Sequence, residues 1–166
     1  MCFSKDAEEQ GMKKVKVLLV IMTLVLIAGA AKVIFFKDVW DKNEDLMKEK
    51  VLSIGPSVES INLKGVTPFD WDVAYSFPPY TSKESIYKTV GYKWDRISET
   101  VNEGMDQIVF MKGGKVICYL YGYPENNEYG LSFHSDKYKD SASVLRAEDD
   151  LTFQVTQSDG VVYLVR

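Results

Sequence analysis

The segment from Val17 to Ala31, VLLVIMTLVLIAGAA, limits the environments this chain can occupy. Lys13, Lys14 and Lys16 precede it, and Lys32 followed by Val33-Ile34-Phe35-Phe36 comes after it. At 1.5 Å of rise per helical residue, crossing roughly 30 Å of hydrocarbon takes about 20 mostly apolar residues. Residues 15–36 supply that length, and the ammonium groups of Lys16 and Lys32 can reach the headgroups along their own aliphatic stems. The pattern predicts a transmembrane anchor over 15–36, a cytoplasmic tail over 1–14, a stalk over 37–54 and an extracytoplasmic domain over 55–166.

The alternative is a leader cut near Ala30, because Ala28-Gly29-Ala30 has the small-residue pattern that signal peptidases cut after. Apolar side chains resume after Lys32, and the region before the run is long for a leader, so the uncleaved single-pass anchor is the reading adopted. Cys2 precedes the apolar run, whereas the cysteine of a lipoprotein follows one. Orientation is read from lysines. Lys5, Lys13, Lys14 and Lys16 precede the run, which places the N-terminus inside and the C-terminal domain outside the cytoplasm.

Charge is divided unevenly. Six lysines through Lys37 face Asp6, Glu8 and Glu9, so of the chain's net −4 the remainder carries −7. Such a surface repels phosphate backbones, which argues against a nucleic-acid partner. Ten Tyr, eight Phe and three Trp favour strands, where aromatic side chains suit a half-buried pleated surface.

Asp38 to Lys50 is charged and free of Gly and Pro, so it reads as a helical stalk supported by Glu44 with Lys48, with Trp40 near the membrane interface. Ile61-Asn62-Leu63 reads as a short strand. Phe69, Trp71, Val73, Tyr75 and Phe77 alternate with smaller or polar residues, which predicts one strand with an aromatic face, ended by Pro78-Pro79. Thr81 and Glu84 have capping-box spacing at the start of a short helix that Gly91 ends. Gly113-Gly114 between two apolar runs predicts a tight hairpin of two central strands, and Asp159-Gly160 predicts another. Tyr129 to His134 reads as a further strand. Together these predict an α+β domain, a small mainly antiparallel sheet of five to seven strands with one short packing helix.

The chain is short of catalytic parts. Its one histidine, His134, has no second His or Cys nearby for a zinc site, and no glycine-framed serine marks a nucleophile. Cys118 lies within the apolar run Val116 to Leu120 and reads as a buried, inert thiol. Asp70 with Asp72, and Asp149 with Asp150, are the carboxylate pairs a hydrolase of cell-envelope polymers could use. The simpler expectation for them is a solvated strand face or turn-capping oxygens. No catalytic residue, no metal ligand set and no cofactor is expected, and the chain reads as a non-enzyme. Tyr119, Tyr121 and Tyr123 alternate along one strand, a face whose simpler expectation is packing under the helix; exposed, they and Tyr129 are the candidate partner-binding surface, because tyrosine combines apolar contact with a polar tip.

The run FDWDVAYSFPPYTSKE resembles a segment of small exported or membrane-anchored bacterial proteins of unassigned function. The resemblance implies a structural motif and no activity. The architecture is similar, more distantly, to immunity proteins that neutralise toxins outside the cytoplasm. The functional expectation is a membrane-tethered extracytoplasmic binding module, held in the membrane by residues 15–36, for a protein or envelope partner.

Overall fold

In the computed structural model, which describes residues 16–25 and 38–166, the charged segment after the apolar run forms helix α1, Val39–Leu52. Its inward residues Trp40, Asn43, Met47 and Val51 recur at helical spacing, and Met47 and Val51 are fully buried. The segment expected to stand as a stalk is therefore part of the domain, because those two apolar side chains need a core to enter. Lys48 pairs with Glu128 at 2.6 Å, while Glu44 accepts a hydrogen bond from the Tyr129 hydroxyl at 3.1 Å. Residues 16–25 are also helical. The rest of the expected span over 15–36 lies outside the described residues, as do the 1–14 tail and Cys2. Among the described residues no helix is long and apolar enough to cross a membrane.

The strands are β1 (Ser60–Asn62), β2 (Val73–Ser76), β3 (Asp106–Lys112), β4 (Lys115–Gly122), β5 (Tyr129–Ser132), β6 (Tyr138–Lys139), β7 (Ala142–Arg146), β8 (Thr152–Ser158) and β9 (Val161–Val165). They form two sheets, ordered β1-β8-β9-β5 and β4-β3-β2-β7-β6. All pairings are antiparallel except β5 with β9, which run parallel. The class is α+β with mainly antiparallel strands. The single sheet expected from the sequence is two, because β2 and β3 are apolar on both faces and each face needs its own cover.

One face of the five-stranded sheet sends Ala74, Ile108, Phe110 and Leu145 toward the other sheet and α1, where Phe153, Leu164, Met47 and Val51 meet them. The opposite face sends Tyr75, Val109 and Val144 against helix α2 (Lys83–Val90), whose Ile86 and Val90 are buried. Each buried Val, Leu, Ile, Phe or Met among them contributes about 1.5–3 kcal/mol through burial. Ser82 caps α2 by accepting the Ser85 N–H at 3.3 Å, and Gly91 closes it at φ 94°. Thr81, the expected cap, instead donates to Pro78 O at 2.6 Å.

The aromatic alternation from Phe69 to Phe77 does not form one strand face. The chain bends at 69–72, so Phe69 and Trp71 pack edge-on against Phe110 in one core while Tyr75 and Phe77 enter the other. The Trp71 indole N–H, bonded to Thr67 Oγ1 at 3.1 Å, holds that bend. Both hairpins form as the glycines require, with positive φ at Gly113, Gly114, Asp159 and Gly160. Strand β4, however, is an edge rather than central. Asn43 of α1 donates to Ile117 O at 2.8 Å and so occupies part of its open side.

Candidate functional site

Strand β5 is the other sheet edge that matters, with Tyr129, Gly130 and Leu131 all buried along it. In a strand, a residue turns its N–H and C=O to the same side, and successive residues alternate sides. Ser132 O accepts from Arg166 N at 3.0 Å, so Ser132 faces β9. Leu131 therefore faces away, and its N–H is taken by the Asp106 carboxyl, Oδ2, at 3.1 Å. Phe133 continues that outward side. A cleft of about 570 Å³ opens along this edge. Leu131 and Phe133 border it on one side; Ser76, Asp106 and Ser143 of the five-stranded sheet border it on the other, and Pro78 lies at one end.

Topology alone assembles this cleft. Asp106 begins β3, on the same face as Ile108. Ser76 and Ser143 are cross-strand partners on β2 and β7 and continue that face beyond Ala74 and Leu145. Helix α3 (Pro124–Asn127) closes the floor, with Pro124 so near Gly130 that an added Cβ would lie 2.9 Å from Pro124 Cγ.

Burial pushes the Asp106 carboxyl up to about 7. The Leu131 N–H opposes the rise by favouring the charged form, and the nearby Glu125 carboxylate adds to it. Glu125 itself accepts from the Tyr163 hydroxyl at 3.3 Å. Near neutral pH, Asp106 can thus hold or release a proton in response to what enters the cleft. His134 lines the same cleft and is exposed.

The four tyrosines do not share one surface. Tyr129 is fully buried in the core between the sheets, where burial and the Glu44 carboxylate push its hydroxyl up. Tyr119 is half-buried under the 92–100 loop. Its ring meets Trp94 edge-on and stacks on Tyr121, and its hydroxyl accepts from Ser98 N and Gln107 Nε2, both at 3.2 Å. Beside it, Gln107 Oε1 is the one buried side-chain polar atom among the described residues without a hydrogen-bond partner. Tyr121 donates to Glu99 O at 2.9 Å, and Tyr123 is half-buried at the start of α3.

The carboxylate pairs singled out from the sequence are turn and hairpin fixtures. Asp72 accepts from Gly113 N at 2.7 Å and pairs with Lys112 at 2.9 Å, which holds its carboxyl below the usual range. Asp149 pairs with Lys137 and accepts from Arg146 N at 2.8 Å; Asp150 accepts from Thr152 N at 3.0 Å. Asp70 is exposed. Cys118 is fully buried, and burial raises its thiol far above the usual range. Among the described residues no group of three His, Cys, Asp or Glu side chains could hold a metal ion. Sequence reasoning passed over Asp106, whose only local signal is an acidic residue opening an otherwise apolar strand.

No family model, curated protein or solved structure matches this chain.

Proposed function

We propose that the protein is a membrane-tethered extracytoplasmic binding module that takes an extended segment of its partner along the open edge of β5. The observation that carries this reading is the Leu131 N–H turned into the cleft and held by a carboxyl that a ligand can displace. An added strand gains main-chain hydrogen bonds along such an edge, and the pockets beside it read alternate side chains. Asp106 and Glu125 favour a segment carrying a cationic group, in keeping with the acid excess after residue 37. The tether over 15–36 rests on span length and lysine bias, and it raises the local concentration of a partner at the membrane, so modest affinity suffices. The architectural resemblance to extracytoplasmic immunity proteins makes an incoming protein toxin the first partner to try.

Capture from an envelope extract by the full chain in detergent tests the site. His134→Trp with Ser141→Trp fills the cleft from two exposed positions and should abolish capture, while Asp70→Asn should leave it intact. Capture that survives the filled cleft rules out this edge as the binding site. A carboxyl that holds a proton near neutral pH is also what an acid catalyst uses. Turnover of an envelope glycan or peptide by the wild type, lost in Asp106→Asn with capture retained, would replace binding by hydrolysis.

A further inference from the structure

Beside the start of α1 lies a second groove, of about 420 Å³, lined by Val39, Trp40, Tyr92, Trp94, Lys115 and Val116 among others. Val39 is 53% and Tyr92 37% exposed, and Trp40 and Trp94, packed edge-on at 5.2 Å, are half-buried. Tyr92 keeps its polar tip occupied by accepting from Val116 N at 2.9 Å, and the Arg96 guanidinium sits 5.9 Å over the Trp40 ring. The aromatic surface is therefore rigid and already folded around its polar atoms.

We propose that this patch rests at the headgroup level of the bilayer that holds residues 15–36, fixing how the domain stands on the membrane. The proposal rests on the tether reading. Only Lys37 and Asp38 separate Phe36 from Val39, so at about 3.5 Å per residue Val39 lies within about 10 Å of where the chain leaves the hydrocarbon. Trp and Tyr favour that depth, where an apolar body and a polar tip are both satisfied. Charge points the same way. Lys93, Arg96 and Lys115 edge the patch, and its acidic groups Asp38 and Asp95 each lie 3.9 Å from Arg96 and Lys93 respectively. An anionic headgroup layer thus meets a locally balanced surface on a domain that is acidic elsewhere.

The test uses the full chain in vesicles of equal parts phosphatidylcholine and phosphatidylglycerol, with bromine on the acyl carbons nearest the headgroup to quench nearby tryptophan. Trp40→Phe removes the indole that the tether alone would bring close, leaving Trp94 on the patch and Trp71 in the core. That variant should lose roughly half its emission in brominated vesicles, as expected for one interfacial indole of two. Adding Trp94→Phe should abolish the loss. Equal quenching of the two variants while both float with the vesicles overturns the docking and leaves the tether standing; it is also the result expected if Val33 to Phe36 fold back into the groove, or if a second copy covers it. A chain that does not float with the vesicles overturns the tether, and this proposal with it.

Discussion

Replacing Asp106 by asparagine keeps the side chain's shape and its acceptor for the Leu131 N–H but removes the charge. The carboxyl rises from 3.8 to about 7 on folding. At about 1.4 kcal/mol per pH unit, the ionised form is disfavoured by up to about 4 kcal/mol in the folded state. This is an upper bound, since cleft water can solvate the charge. Between those two values the folded protein holds a proton that the unfolded chain has released, so this group's stabilisation is complete below about pH 4 and is lost as pH rises through about 7. Asparagine has no such dependence. At about pH 5, roughly 1.2 units above the unfolded value of 3.8, the Asp106→Asn variant should therefore already be more stable than wild type by up to about 1.6 kcal/mol, and at about pH 8.5 by up to about 4 kcal/mol. Urea unfolding of the full chain in detergent, followed by circular dichroism at both pH values, measures this. The lowered carboxyls of Asp72, Asp140, Asp149 and Asp150 act in the opposite direction at lower pH and cancel in the comparison. A difference between the two proteins that stays constant across the range refutes the reasoning.

Gly130→Ala should destabilise the domain by about 1–3 kcal/mol in the same unfolding assay, because the new methyl meets the Pro124 ring and Asp106. Tyr129→Phe, which removes a buried hydroxyl donor from Glu44, should cost about 1–3 kcal/mol. Asn43→Ala should cost about 1 kcal/mol and leave a carbonyl of the β4 edge open, measured as faster hydrogen exchange next to Ile117. In a Cys2→Ser background, Cys118 should resist a thiol reagent until urea unfolds the domain; rapid labelling of the folded chain contradicts its burial.

The elements that local chemistry dictates could be read directly from the sequence. Two turns needed positive φ, α2 carried its own apolar face and a terminal glycine, and Cys118 sat within an apolar run. Three features could not be read. The fate of Phe69 and Trp71 depended on a bend held by Thr67, and no periodicity records it. Val39–Leu52 looked solvated because its charges outnumber its two core contacts, Met47 and Val51. The cleft drew Ser76, Asp106, Leu131 and Ser143 from four separate segments, so only the strand order of both sheets could show that they meet. Tyrosine count was a misleading guide to surface, since a phenol buried beside a carboxylate, as at Tyr129, reads the same in sequence as an exposed one.

Because β9 lies between β8 and β5, the four-stranded sheet has a particular order of assembly. Tyr129 to Ser132 leave the ribosome well before residues 161–165, yet they have no partner strand until those residues arrive. Contacts so distant along the chain slow folding, and both sides of β5 stay bare during the wait. The side that β9 never covers is the one that borders the cleft. The strand proposed to receive a partner is thus also an adhesive part of the nascent chain, and only in the folded domain does Asp106 occupy its Leu131 N–H.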